Sequence, residues 1–431
     1  MTQQRRRTWR VLAALLSLSL VAAACGDDDD ASTGDDGGDG GTETTEEPAE
    51  DVLGEPNPAT GEPVKVGLIT EGGSEAIGSQ SELTETGAGI AVEYANEYLG
   101  GIGGRPIELV VCGTKNTPAG AQDCSNRMVE EGVVAVVMPF NGQGEATAPI
   151  ITEAGIAYVT GSGNGANELT ADGAFALTGG YPGTLGAFAQ HAADQGYGKF
   201  TMIVIDVPSA TQAAEGLGGI VFGNAGVEFE VVTAPPGTPD LTPQLQAAVD
   251  GGADAIGLTG DVTFCTSFLQ AYQTLALDVP KYLIGPCIDS TVLESYGDVV
   301  AGSYLATNTA AESEDAKIYA AMVEKYAAGE DIDPDPIRST GIAAGVGAVL
   351  NFVRAMEGIT GEITKDTVMA QMKAAKDVPL FLTEGQTFTC DGTAIPIMPS
   401  VCSAGFYIGT LTAEAEVQDP TPVDATALFE M

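Results

Sequence analysis

Groupings of residues that could do covalent or acid–base chemistry are few, and their spacing is informative. The single histidine, His191, lies in Leu185-Gly186-Ala187-Phe188-Ala189-Gln190-His191, a stretch that reads as a helix. Hydrolytic sites commonly pair a nucleophile with such a base, and no nucleophile is placed beside this one. Carboxylates can do acid–base work without histidine, and Asp261 with Asp289 is the one pair whose setting invites it. Nothing else gathers nucleophile, base and oxyanion donors, so no enzyme is expected. Gly161-Ser162-Gly163-Asn164-Gly165-Ala166 spells G-x-G-x-x-A, a dinucleotide fingerprint. A true one follows the first strand of a βαβ unit and opens a long helix, whereas Asn167 to Thr170 and Asp172-Gly173 read as loop. No cofactor is expected.

The seven cysteines divide into Cys25 and three local couples: Cys112 with Cys124, Cys265 with Cys287, and Cys390 with Cys402. A metal site would want C-x-x-C pairs or histidine partners, and neither is present. The couples read as disulfides, each closing a short loop in an oxidising compartment.

Cys25 has a different setting. Arg5, Arg6, Arg7 and Arg10 precede an apolar run from Val11 to Ala23, too short to span a bilayer but suited to the core of a signal peptide. It ends on Leu20-Val21-Ala22-Ala23-Ala24-Cys25, which resembles a lipobox, where a thiol is acylated and the leader removed. Residues 1–24 are therefore expected to be a signal peptide and Cys25 the lipidation site; ordinary secretory cleavage is the alternative. Arg6-Arg7-Thr8-Trp9 leaves both general secretion and twin-arginine export open. Residues 25–55 are acidic and poor in large apolar side chains, a composition that cannot offset its ordering entropy by burial. They read as a disordered tether, with the body held at the outer face of the cell membrane (the periplasmic side where an outer membrane exists).

The formal net charge of −43 excludes a nucleic-acid partner, which needs a basic footprint. It also disfavours direct adhesion to anionic lipid, so the acyl chain must supply membrane affinity.

The body alternates short apolar runs with helical stretches. Strands are expected at 64–69, 106–111, 133–138, 156–160, 200–205, 228–232, 255–258 and 281–284. Helices are expected at 87–98, 119–131, 146–153, 211–224, 241–250 and 266–275. Such alternation means βαβ units and parallel sheets covered on both faces, and there are too many units for one sheet.

Here a resemblance becomes specific. VKVGLIT, then AGIAVEYANEYLGGIGGRPIELVV, then AGVEFEVVTAPPGTPDLTPQLQAAVDGGADAIGLTG follow in an order similar to that of the branched-chain amino-acid (Leu/Ile/Val) binding family of ABC importers. The resemblance runs from Val64 to about Leu411. It implies an α/β, two-lobed type I periplasmic-binding fold, with parallel sheets flanked by helices and three inter-lobe crossovers. These fall near Thr178-Gly179-Gly180, Ala306-Thr307-Asn308 and Thr383-Glu384-Gly385. Lobe one is then 64–179 plus 308–384, lobe two 180–307 plus 385–415, and 416–431 a C-terminal tail. The function implied is capture of a small polar metabolite (amino acid, amide or related carboxylate) and its delivery, by a monomer, to ABC permease subunits in the membrane. A lipid-tethered sensor for a signalling receptor is the alternative.

In open parallel sheets, ligands lie beyond the carboxyl ends of the strands. After strand one come Glu71, Ser74 and Ile77. After strand three come Asn141, Gly142, Gln143 and Gly144, directly before a helix whose free N–H groups would seat a carboxylate or carbonyl oxygen. Strand four leads to Ser162 and Asn164. From lobe two the facing residues are Asp206, Gln212, Asp261, Thr263 and Asp289. The resemblance also exposes departures. Where the family places an acidic residue for an α-ammonium, this sequence has Cys287, and Ile77 with Thr211 or Gln212 replace aromatic side chains. Asp261, Asp289 or Glu71 could supply the missing charge; without one, burying an ammonium would be strongly unfavourable.

Overall fold

The computed structural model describes residues 52–74, 78–139, 142–310, 313–330, 332–337 and 339–430, the side chains at 78, 79, 208 and 209 excepted. The leader, Cys25, most of the acidic segment, Ile77 and Asn141 lie outside the described residues.

Two sheets are built from the same plan. The first holds β1 (Val64–Thr70), β2 (Ile107–Gly113), β3 (Ala135–Met138), β4 (Ala157–Ser162) and β5 (Ala174–Thr178), all parallel in the order β2-β1-β3-β4-β5. The second repeats that order with β6 (Lys199–Ile205), β7 (Glu228–Ala234), β8 (Ala255–Thr259), β9 (Lys281–Leu283) and β10 (Tyr304–Thr307). It then adds β13 (Gly405–Leu411) and β14 (Val417–Asp424), both antiparallel to their neighbours. A short hairpin, β11 (Val378–Pro379) with β12 (Thr387–Phe388), stands apart. In each sheet the strand order reverses once, between β1 and β3 and between β6 and β8. Those switch points open crevices at the carboxyl edge.

Side-chain alternation explains why both faces are covered. In β3, Ala135 and Val137 join one core while Val136 and Met138 join the other, and all four are buried. In β6, Phe200, Met202 and Val204 face one layer and Ile203 and Ile205 the opposite one. A strand buried on both faces must read as a continuous apolar run, and these do.

The chain leaves the first sheet after Thr178, builds the second, and returns after Thr307. It then adds α11 (Glu314–Tyr326), α12 (Thr340–Ala355) and α13 (Lys365–Ala374) to the first core. The α12 helix crosses α1 (Gly78–Tyr98) at backbone contact: a Cβ on Gly87 would lie 2.1 Å from the Ile342 carbonyl oxygen, and one on Gly345 would lie 2.2 Å from that of Thr84. Only glycine lets the two helices approach so closely. This packing also explains why α1 begins nine residues before the expected 87: its polar first turns bury Ser81 and Thr84.

Three further expectations are corrected. Asn167 to Thr170, read as loop, lies in one helical turn, α4 (Ala166–Thr170), followed by the unforeseen β5. The third passage between sheets does not fall at Thr383–Gly385, which forms the turn of the β11–β12 hairpin. Residues 400–402 still pair beside β5, with Ala176 N–H donating to Ser400 O and Cys402 N–H to Ala176 O. The passage comes after Cys402. Finally, 416–431 is no tail: β14 pairs along β13, and Phe429 is fully buried under the second sheet.

Candidate ligand site at the strand carboxyl ends

The loops that follow β1, β3 and β4 meet at the first switch point. Glu71 directly follows β1 and is only 4 % exposed. Its Oε1 accepts the Gly142 N–H at 2.5 Å, tying the β1 loop to the β3 loop, and its carbonyl accepts the Ser74 N–H at 3.1 Å. Burial raises the Glu71 pKa above its ordinary value, and the Gly142 hydrogen bond opposes this in part. Beside it, the Thr70 hydroxyl donates to Glu85 Oε1 at 2.6 Å. Gln143 Nε2 donates to Asn116 Oδ1 at 2.9 Å, bridging the β2 and β3 loops at the start of α3 (Gly144–Glu153).

The β4 loop is organised by a residue that sequence reasoning missed. Glu168, on α4, is 2 % exposed; its Oε2 accepts Asn164 N–H at 3.0 Å and Gly165 N–H at 2.9 Å, and its Oε1 accepts the Tyr158 hydroxyl. A Cβ on Gly144 would fall 1.9 Å from its carboxyl carbon, so the carboxylate sits directly against the first residue of α3. Burial pushes its pKa up, against the pull of those three donors. No signal in the sequence marks a buried acid.

At the carboxyl edge of the second sheet, Asp206 precedes the helix Pro208–Ala213 and Gln212 lies on it, and both are exposed. Asp261 caps α9 (Val262–Thr274), accepting Phe264 N–H at 2.8 Å, and the exposed Thr263 follows it. Asp289 caps α10 (Ser290–Val300), accepting Thr291 N–H at 2.9 Å. The carboxylate pair that invited an acid–base reading is thus occupied as two helix caps. His191 is likewise engaged, its Nδ1 lying 2.7 Å from the Tyr282 hydroxyl, and burial lowers its pKa. Tyr181 was also missed: it opens the helix Gly180–Asp194, its hydroxyl lies 2.9 Å from Thr259 Oγ1 at the end of β8, and burial raises its pKa to about 12. Its partner is 78 residues away, beyond any local pattern.

All three cysteine couples are disulfides. Cys265–Cys287 joins the first turn of α9 to the turn after β9, and both residues are fully buried. It staples two loops of the second sheet's carboxyl edge, separated by 22 residues. Replacing both cysteines by alanine should lower stability by about 3 kcal/mol, the loop-closure value for that span; a urea midpoint unchanged within error would refute the estimate.

A cavity of about 430 Å³ lies elsewhere, lined by Tyr94, Leu99, Ile318, Val353 and Phe381. It borders the loop between the end of α1 and β2, at the amino ends of the strands and so at the pole away from this site. Its Arg354 is already paired with both carboxylate oxygens of Asp315.

Two sheets that share one order of five parallel strands, each with a switch point, and a chain that passes repeatedly between them define a two-lobed binding protein. The chain belongs to the periplasmic binding protein family, whose sequence profile matches residues 63–401. Among curated proteins none matches the chain. Solved structures of similar fold include a leucine-binding protein from Thermotoga maritima MSB8, with TM-score 0.67 and 17 % identity over 84 % of this chain and 99 % of that one. A fatty acid ABC transporter substrate-binding protein from Thermomonospora curvata gives TM-score 0.69 and 16 % identity, covering 87 % and 96 %. A solute-binding protein of an ABC transporter from Rhodopseudomonas palustris BisB5, in complex with 3,4-dihydroxybenzoic acid, gives 0.64 and 18 %, covering 84 % and 97 %. The resemblance therefore holds at the level of the periplasmic binding protein family and of the two-lobed fold.

Proposed function

We propose that the chain is the extracytoplasmic solute-binding component of an ABC importer, taking a small polar metabolite between its two lobes and handing it to a membrane permease. The observation that carries this reading is the pair of switch-point crevices in one family fold, with the loops after β1, β3 and β4 held together by Glu71 and Glu168. A solute that touches both lobes favours the closed arrangement over the open one, and the closed shape is what a permease would recognise. The work is binding, not bond-making: Asp261 and Asp289 cap helices, and His191 is bonded to a tyrosine. The chain acts as a monomer. Cys25 supplies a lipid anchor, and the acidic segment up to residue 55 a tether that keeps the binder near its permease.

The test is thermal. A ligand that binds only the folded state stabilises it by about 2.7 kcal/mol at a hundred times its dissociation constant. Amino acids, amides, amines, short carboxylates and aromatic acids are screened by melting temperature, and at least one should give a saturable rise. A well-folded protein that none of them stabilises would sink the solute-binding reading.

A further inference from the structure

Backbone donors in the loops that lead into α3 and α4 are already taken up from within the chain. The Gly142 N–H, at the entrance to α3, donates to Glu71. The Asn164 and Gly165 N–H groups donate to Glu168, whose carboxylate rests against the α-carbon of Gly144. Backbone donors at such a place would otherwise meet a ligand's carboxylate. Here two protein carboxylates hold three of them, at Gly142, Asn164 and Gly165.

The charge around the crevices points the same way. In the loops that close the carboxyl ends of β1 to β10, Lys115 is the one basic residue, whereas Glu71, Asp206, Asp240, Asp261 and Asp289 are acidic. Lys115 is exposed, with its stem against Gly73. An anionic ligand enclosed here would meet like charge at close range, where a low local dielectric magnifies the repulsion.

We propose that the solute carries no carboxylate and presents N–H donors, as an amine or a primary amide does, with Glu71 as the acceptor that reads them. This rests on the solute-binding reading above and narrows it. Glu71 is suited to the part: it stands at the β1 end beside the switch point, and one backbone N–H uses only a fraction of the roughly four acceptor positions of a carboxylate. Glu168, whose carboxylate already accepts three donors, shapes the loops instead.

The experiment melts the full chain with putrescine and propionamide, against propionate, succinate and leucine. An amine or amide should raise the melting temperature saturably while the three carboxylate-bearing compounds do not. A saturable rise with propionate, succinate or leucine overturns the inference and leaves the solute-binding reading standing. Silence from every compound here and in the wider screen removes both. Glu71→Gln keeps an acceptor for Gly142, and it should weaken binding of the stabilising amine or amide at least tenfold. Unchanged affinity in that variant, read by titration calorimetry, overturns the role given to Glu71. Should that variant not fold, the panel on the unaltered chain still decides the ligand class.

Discussion

Gly87→Ala should destabilise the protein by about 3 kcal/mol, lowering its melting temperature by roughly 4 °C. The new methyl would sit 2.1 Å from the Ile342 carbonyl oxygen, and backbone cannot rotate aside as a side chain can. Either α1 and α12 separate, opening voids among Ala88, Ala91, Val346 and Val349, or one helix bends. Both outcomes damage the core beneath the first sheet. Gly345→Ala should behave alike, since its Cβ would meet Thr84 O at 2.2 Å and Ala88 N at 2.7 Å. The control lies two residues from Gly87. A Cβ at Gly89 meets nothing within 4 Å, so Gly89→Ala should be neutral or stabilising by up to ~1 kcal/mol through helix propensity. Equal melting temperatures for Gly87→Ala and Gly89→Ala would show that the close crossing is not a constraint.

The second large effect is expected at Gly144→Ala. Its methyl would overlap the Glu168 carboxyl group, which must then leave the start of α3. Departure strands the fully buried Tyr158 hydroxyl and the Asn164 and Gly165 N–H groups. Each buried group without a partner costs about 1–3 kcal/mol; since the loop ends can reach water, a total of about 3 kcal/mol is expected. Coupling provides the sharper measurement. In a Glu168→Ala background the carboxyl group is already gone, so Gly144→Ala should add little, and additive losses would refute the contact. The pH response follows from linkage. Glu168 has a folded pKa raised above its ordinary 4.5, so the folded state holds its proton more tightly than the unfolded chain. Its contribution is fully present below pH 4.5 and is lost as pH rises through the raised value. Glu168→Gln should flatten that part of the stability profile, measured by urea melts across the window.

The legible parts of this fold were those written in local pattern. Ala135–Met138 and Ala255–Thr259 are apolar at nearly every position and could only be covered strands. The cysteine couples, 12 or 22 residues apart, paired as their proximity suggested. What escaped depended on distant partners. Polar first turns hid the start of α1, because what buries them is α12, more than 250 residues later. Gly163, Gly165 and Gly173 made α4 and β5 look like one loop. Two prolines and two aspartates disguised β14, which tolerates them as an edge strand. In the site, Glu71 was found because it directly follows a recognisable strand. Glu168 and Tyr181 were missed because their roles are set by Tyr158, Asn164, Gly165 and Thr259 across folded loops.

The first described residues dock far from the proposed ligand site. Leu53 is buried in the first core, its carbonyl receiving the Tyr94 hydroxyl, and Asn57, Ala59 and Thr60 hydrogen-bond to Glu97, Asn96 and Gly104. From there to the carboxyl edge α1 runs 21 residues, about 31 Å at 1.5 Å each. The chain is therefore gripped by its far pole. A surface fixed at Val52 itself would stand about 30 Å from the proposed solute site, leaving the crevices open to the bath. By the same geometry, a dye fixed at Val52 should report solute through lobe movement and not by contact.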